Sequence, residues 1–153
     1  MKNKRVFTTS CRVLYGDTDA GGVVYYAHFL RYFEKARTEL MRQWVCSYRE
    51  IEAIGLIMPV TECFARYKAS AFYDDLLTIE TEVCNLRKYT CQFNYRIIRQ
   101  DDTRIKPTLL VKGYTIHAAV NQVGKLTKLP EEIMEKLRSL TTPDNTTVPE
   151  QND

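Results

Sequence analysis

One long amphipathic segment, residues 24–44, constrains this sequence more than any other feature. Its apolar side chains recur at helical spacing, while most of its charged side chains lie off that stripe. The stripe consists of Tyr26, Phe29, Leu30, Phe33, Leu40, Met41 and Trp44. The pattern predicts a helix of about five to six turns. A stripe this wide needs a broad apolar surface to cover it, and a curved β-sheet provides one.

Segments typical of strands lie on both sides of this helix. One strand is predicted before it, at 6–15, and a short helical piece at 47–53 follows it. The later predicted elements are strands at 57–67, 76–86, 89–99 and 109–120, and a last helix at 130–140. Because short links join the later strands, antiparallel pairing is expected. The order predicts an α+β fold, with a sheet of about five strands wrapped around one central helix.

Length and composition fit a single domain. The chain has 153 residues, of which 44% are hydrophobic, enough for a proper core. We expect one domain at 6–140 and a polar, disordered tail at 141–153. No apolar run approaches the roughly 18 residues of a membrane span, and no signal peptide is recognisable. A net charge of +3 is too small to indicate nucleic acid binding, so we expect a cytoplasmic protein that binds neither nucleic acid nor membranes.

The cysteines do not indicate a disulfide framework or a metal site. There are five, an odd number, and no two form a C-x-x-C pair. Buried free thiols in a reducing compartment are the expected state. The sequence therefore predicts neither a metal nor a cofactor.

The densest polar, glycine-rich segment is residues 17–22, between the first strand and the long helix. The first N–H groups of a helix have no internal partner and carry partial positive charge, so they can hold a carbonyl oxygen that becomes negative during a reaction. Two carboxylates, Asp17 and Asp19, share this segment, and spacing alone also fits helix capping. A calcium loop is excluded, because its fifth and twelfth positions would be Gly21 and His28.

Residues 15–26, with the sequence YGDTDAGGVVYY, closely resemble the active-site signature of the 4-hydroxybenzoyl-CoA thioesterase family, which includes the YbgC-type acyl-CoA thioesterases. The likeness continues through residues 29–39 and reappears at 73–81, in YDDLLTIET. The resemblance implies a hotdog fold and hydrolysis of an acyl-CoA thioester. It also implies a homodimer or homotetramer, with the sheets of a dimer joined edge to edge.

The family motif assigns roles to particular positions. The resemblance implies that Asp19 is the catalytic carboxylate and that the backbone N–H of Tyr26 polarises the thioester carbonyl. Gly21 and Gly22, which lack a Cβ, are expected to let the backbone approach the substrate. The remaining expected site residues are Val24 and Tyr25 in the substrate loop, Glu34 as a residue that positions water, and Arg87 and Lys88 as contacts to the CoA phosphates.

Several alternatives stay open at this stage. Many YbgC-type members carry a histidine where this chain has Tyr26, so a mechanism that needs an imidazole there is not expected. Asp19 fits either a nucleophile or a general base. Two other substrates stay open: an acyl group attached to acyl carrier protein, and 1,4-dihydroxy-2-naphthoyl-CoA. A non-enzymatic acyl-CoA-binding module is the remaining alternative, because fold alone does not fix function.

Overall fold

The fold is seen in a computed structural model that describes residues 5–103 and 106–141. The chain starts with strand β1 (Phe7–Arg12) and a single 3₁₀ turn at Tyr15–Asp17, and then enters the long helix α1 (His28–Trp44). The elements that follow are α2 (Tyr48–Ala53), β2 (Leu56–Ile57), β3 (Val60–Tyr67), β4 (Leu76–Cys84), β5 (Thr90–Arg99), β6 (Thr108–Ala118), β7 (Val120–Asn121) and α3 (Glu131–Leu140).

Five strands form one antiparallel sheet in the order β1-β4-β5-β6-β3, and β2 pairs with β7 in a separate two-stranded sheet. Helix α1 runs along β1 and β4. At its C-terminal end the ring of Trp44 packs edge-on against that of Phe7, with 5.1 Å between centroids. Its N-terminal end therefore lies toward Arg12 and Leu76, which pair where β1 ends and β4 begins. The predicted α+β hotdog arrangement is confirmed.

The core lies between α1 and the sheet. From α1 it takes Phe29, Tyr32, Phe33, Ala36, Leu40 and Met41, and from β4 and β5 it takes Leu77, Ile79, Val83, Phe93, Tyr95 and Ile97. Helix α3 adds Met134, Leu137 and Leu140. Gly113 of β6 permits close packing, because a Cβ there would meet the Phe64 carbonyl oxygen at 2.2 Å and the Phe33 ring at 3.2 Å.

The predicted start of the long helix is wrong by four residues. The backbone of Val24 donates to the Ala71 carbonyl, and Val23 forms a β-bridge with Phe72, so this stretch pairs as extended chain. Helix α1 begins only at His28, whose N–H donates to the Tyr25 carbonyl. Tyr26 therefore lies just before the helix, in the turn that leads into it.

Two strand predictions are also corrected. The first strand ends at Arg12, because the chain turns into the 3₁₀ turn after Val13 and Leu14. The strand predicted at 57–67 is two strands, interrupted at Met58–Pro59, and proline cannot donate a ladder hydrogen bond. The short pairing of β2 with β7 has no counterpart in the sequence-based prediction. The other predicted elements agree with the structure within about two residues, the usual scatter of element ends.

The cysteine prediction is confirmed in one respect and wrong in another. All five thiols are free, but only Cys91 is buried, and Cys63 on β3 is exposed. Within the described residues, no helix is long and apolar enough to cross a membrane. The tail predicted to be disordered lies, apart from Thr141, outside the described residues.

Candidate active site

A short, tightly hydrogen-bonded loop presents Asp19 at the protein surface. Thr18 and Val24 pair as an isolated bridge that closes the loop. Inside it, Asp19 N–H donates to the Val23 carbonyl at 2.9 Å, and Gly22 N–H donates to the Asp19 carbonyl at 3.0 Å. Gly22 has φ +79°, a left-handed conformation that glycine adopts without strain. The backbone therefore fixes this loop with few contributions from buried side chains.

The Asp19 carboxylate is exposed and only partly engaged. Its Oδ1 accepts a hydrogen bond from Gly21 N–H at 2.8 Å. Among the described residues, nothing donates a hydrogen bond to its Oδ2. One oxygen thus orients the carboxylate, while the other is accessible to a reacting group.

Asp17 has a different environment, although it is only two residues away. It is buried, and its Oδ2 accepts hydrogen bonds from Leu14 N–H and from the Tyr32 hydroxyl, both at 2.9 Å. Burial and this hydrogen bond to Asp17 raise the pKa of Tyr32. Asp17 therefore ties the loop to α1, and its side chain is largely withdrawn from solvent.

The backbone at Tyr26 is exposed near the sheet edge. Among the described residues, no acceptor is found for the Tyr26 N–H, while its carbonyl accepts from the Tyr67 hydroxyl at 3.0 Å. Tyr67 is the last residue of the edge strand β3, and its ring also packs against that of Phe29. The contact with Tyr26 and, less strongly, the charge of Asp19 raise the pKa of Tyr25.

The other predicted loop residues divide between surface and core. Gly21, Gly22 and Tyr25 are exposed. Val24 is only 5% exposed, so it anchors the loop in the core and does not present its side chain to a ligand. Of the neighbouring aromatic side chains, Phe29, Tyr32 and Phe33 lie in the core, whereas Tyr25 and Tyr26 are exposed.

Glu34 is exposed on α1, between two surface clefts. It lies eight residues after Tyr26, which corresponds to roughly 12 Å along the helix axis. Within one protomer, Glu34 therefore does not touch a carbonyl held by the Tyr26 N–H.

Arg87 and Lys88 lie in the exposed turn between β4 and β5, which an Arg87 N–H bond to the Thr90 carbonyl closes. The loop that carries Asp19 is joined to the opposite end of β4, through Val13 and Asp75. At about 3.3 Å per residue, the length of β4 and the start of the turn place Arg87 and Lys88 roughly 30 Å from the Asp19 loop. One protomer does not bring these basic residues to Asp19.

A buried polar network lies beneath α1, and sequence analysis did not identify it. The Tyr95 hydroxyl is 2.6 Å from Thr115 Oγ1, which is 2.8 Å from His117 Nε2. His117 Nδ1 is 3.0 Å from the Met58 carbonyl, and Arg37 reaches Tyr95 at 3.5 Å. Burial raises the pKa of Tyr95 to about 12 and lowers that of His117 to about 4. Alternation along β5 and β6 marks these positions as inward-facing, but nothing in the sequence pairs them.

Comparison with known proteins shows which class of hotdog protein this fold belongs to. Residues 13–137 match the model of the Thioesterase-like superfamily. The chain belongs to this family, and the expectation of a thioester hydrolase is confirmed.

Two relatives illustrate the similarity in sequence. The acyl-CoA thioesterase YbgC of Haemophilus influenzae is 36% identical over 130 residues, which cover 83% of this chain and 90% of that protein. A putative esterase of Aquifex aeolicus is 31% identical over 127 residues, which cover 83% of this chain and 94% of that protein.

Solved structures support the fold. The hypothetical protein TT1821 of Thermus thermophilus superposes with a TM-score of 0.82 at 28% identity, covering 91% of this chain and all of that one. A 4-hydroxybenzoyl-CoA thioesterase variant, solved in complex with 4-hydroxybenzoyl-CoA, superposes with a TM-score of 0.79 at 22% identity. The match covers 87% of this chain and 99% of that one, and at this identity it supports the fold alone.

Proposed function

We propose that this protein hydrolyses acyl-CoA thioesters to a free carboxylic acid and CoA, with Asp19 as the catalytic carboxylate. The observation that carries the proposal is the contrast in the loop: Asp19 keeps one oxygen free at the surface, while Asp17 is buried and hydrogen-bonded. The similarity to a YbgC acyl-CoA thioesterase supports CoA as the carrier.

The thioester carbonyl oxygen is held by the Tyr26 N–H, at the turn that leads into α1. Negative charge develops on that oxygen as the carbonyl carbon is attacked, and a donor fixed in advance stabilises it without reorganisation. The positive end of the α1 dipole adds to this effect. Gly21 and Gly22 leave room for the substrate, and Tyr25 flanks it.

Asp19 acts through its free Oδ2. It either attacks the carbonyl carbon and forms a mixed anhydride, which water then hydrolyses, or it removes a proton from the attacking water. In both routes the C–S bond breaks, CoA leaves as the thiolate, and the acyl group ends as a carboxylate. Both routes need the same side chain, so one substitution tests them together.

The site is completed by another protomer. Tyr26 lies against β3, an edge strand with an unpaired side, and exposed edges favour pairing between copies. Glu34 and the basic pair Arg87 and Lys88 are remote from Asp19 within one chain, so they serve the site of another protomer. There Glu34 acts on water, and Arg87 and Lys88 contact the CoA phosphates. Sedimentation equilibrium should show a homodimer or homotetramer, and a monomer that remains fully active would contradict this arrangement.

The decisive test is Asp19→Asn. Asparagine keeps the oxygen that accepts from Gly21 N–H but removes the charge, so the loop should persist while kcat falls by about a hundredfold or more. Release of free thiol from acyl-CoAs measures turnover, and thermal unfolding checks the fold. Near-normal turnover by this variant would refute the assignment.

A matched variant and a substrate panel complete the test. Glu34→Gln, an equally conservative change at an exposed position, should lower kcat less than Asp19→Asn. Acyl groups of different lengths, 1,4-dihydroxy-2-naphthoyl-CoA and an acylated carrier protein should be compared as substrates. A clear preference for the carrier protein would replace CoA in the proposal but leave the role of Asp19 intact.

A further inference from the structure

Residues 70–75, here called the supporting segment, hold the loop that carries the candidate catalytic carboxylate at both of its ends. Before the loop, Val13 N–H donates to the Asp75 carbonyl at 2.9 Å. After the loop, Val24 N–H donates to the Ala71 carbonyl, also at 2.9 Å. A displacement of the supporting segment would therefore move both ends of the loop.

The supporting segment makes a tight turn that an ion pair stabilises. Asp75 N–H donates to the Phe72 carbonyl at 3.1 Å, and Asp74 has φ +67°, a left-handed conformation that is uncommon outside glycine. The Asp75 Oδ2 accepts from Phe72 N–H at 2.9 Å and from Arg99 Nη1 at 3.0 Å. The same Arg99 nitrogen donates to the Ser70 carbonyl at 2.8 Å. A single guanidinium thus joins the first and the last residue of the segment.

Arg99 anchors the supporting segment to the main sheet. It is the last residue of β5 and pairs with Leu77 of β4. Its guanidinium also lies over the Phe72 ring, 5.7 Å from the centroid. The side chains of Arg99 and Asp75 are only 20% and 23% exposed, so solvent screens this pair less than a fully exposed one. The sheet therefore fixes the segment, and the segment fixes the loop.

The position of the supporting segment determines where the two proposed reacting groups lie. Val24, which is bonded to Ala71, is two residues before Tyr26, whose N–H is the proposed donor to the thioester oxygen. The neighbouring Val23 carbonyl accepts from Asp19 N–H at 2.9 Å. A misplacement of about 1 Å can lower a catalysed rate by about a hundredfold, even when its cause is far from the chemistry.

We propose that Arg99 and Asp75 are positioning residues for thioester hydrolysis, because their ion pair holds Asp19 and the Tyr26 N–H in place through the supporting segment. The inference rests on the proposed function of Asp19. Arg99 and Asp75 act on the loop and not on the substrate, so loss of the pair should lower kcat more than it raises KM.

Arg99→Gln is the main test, with thiol release from an acyl-CoA as the measurement. Glutamine removes the charge and the guanidinium, so kcat should fall by about tenfold while KM stays within about twofold. Arg96→Gln is the matched control, because Arg96 lies three residues earlier on β5 and pairs with Glu80 of β4 at 3.7 Å. The control should keep its kcat. An unchanged kcat in Arg99→Gln, or an equal loss in both variants, would overturn the proposal.

Two conservative variants test the ion pair itself. Both hydrogen bonds of Arg99 come from one nitrogen, and a lysine ammonium has three donors. Arg99→Lys should therefore keep kcat within about threefold of the value for the unmodified protein. Asp75→Asn keeps an oxygen for Phe72 N–H but loses the charge, so its kcat should fall as in Arg99→Gln. An Arg99→Lys protein no more active than Arg99→Gln, or a fully active Asp75→Asn protein, would contradict the role of the pair.

Amide hydrogen exchange tests the coupling without any substrate. In Arg99→Gln the N–H of Val24, which is bonded to Ala71, should exchange about tenfold faster, while N–H groups in the middle of β5 keep their rates. A purely structural role would lower protection throughout the sheet, because exchange would then follow global stability. Uniform acceleration, or no change at Val24, would rule out the positioning role.

The proposed function and this inference fail in different ways. If Asp19→Asn keeps near-normal turnover, the proposed function is wrong and the inference falls with it. If Asp19→Asn is inactive while Arg99→Gln keeps its full kcat, only the positioning role is wrong.

Discussion

The Asp19 loop and the buried network under α1 both collect polar groups, but they are held in opposite ways. Local backbone hydrogen bonds hold the loop, which leaves a carboxylate oxygen exposed. The network lies between helix and sheet, where Tyr95, Thr115 and His117 bond one another. The loop can therefore lose a side chain with little loss of stability, whereas the network should respond strongly to changes in packing or charge.

The largest expected effect comes from Gly113→Ala. Gly113 pairs directly with Tyr95 in the sheet, and a new Cβ would clash with the Phe64 carbonyl oxygen and press on Phe33. The Phe33 ring stacks on Tyr95 at 4.2 Å, so the displacement would reach the network. Such overpacking should lower the free energy of unfolding by about 3 kcal/mol, measured by urea denaturation.

Gly16→Ala is the control for that substitution. Nothing lies within 4 Å of a Cβ at Gly16, next to the loop, and its φ is not in the left-handed region. Its stability should change by no more than about 0.5 kcal/mol. If the two glycine substitutions lowered the free energy of unfolding equally, the contrast between a tightly packed core and a tolerant loop would be wrong.

The second effect is a loss of stability in acid that depends on His117. Its pKa is lowered from 6.5 to about 4, chiefly by burial, so the folded protein holds His117 neutral where the unfolded chain is protonated. The free energy of unfolding therefore keeps its full value above about pH 6.5 and decreases as the pH falls toward 4. From pH 7 to pH 5 the loss should be roughly 2 kcal/mol.

Comparison with His117→Gln isolates this contribution. The variant should be less stable at pH 7 but should lose roughly 2 kcal/mol less than the unmodified protein between pH 7 and pH 5. His28→Gln, at the start of α1 and outside the buried network, is the matched control and should keep the full pH dependence. If the free energy of unfolding changed with pH equally in the unmodified protein and in His117→Gln, His117 would not be the source of the acid sensitivity.

Sequence patterns predicted most of the fold, because periodicity reports which side of an element is buried. They missed the start of α1, since the pairing of Val24 with Ala71 joins residues that are distant in sequence. For the same reason they missed the link from Arg37 to His117, whose members come from three elements. In the loop, the motif singled out Asp19, but its spacing from Asp17 did not distinguish an exposed carboxylate from a buried one.

Asp17→Asn gives the smallest effect. The Asp17 carboxylate accepts from Leu14 N–H and from the Tyr32 hydroxyl, and an amide oxygen accepts more weakly than a carboxylate oxygen. The free energy of unfolding should fall by about 1 kcal/mol, the scale of a lost cap. Because Asp17 is buried and hydrogen-bonded, kcat in the folded variant should stay within about threefold of the value for the unmodified protein.

Tyr32→Phe removes the donor on the helix side of the same contact and serves as the partner variant. If the contact only ties the loop to α1, the double variant should be less destabilised than the sum of the two single variants, since the shared hydrogen bond is lost once. Asp17→Asn and Asp19→Asn should then show opposite profiles, with stability lost in the first and turnover lost in the second. A folded Asp17→Asn protein without activity would mean that the roles of the two aspartates are reversed.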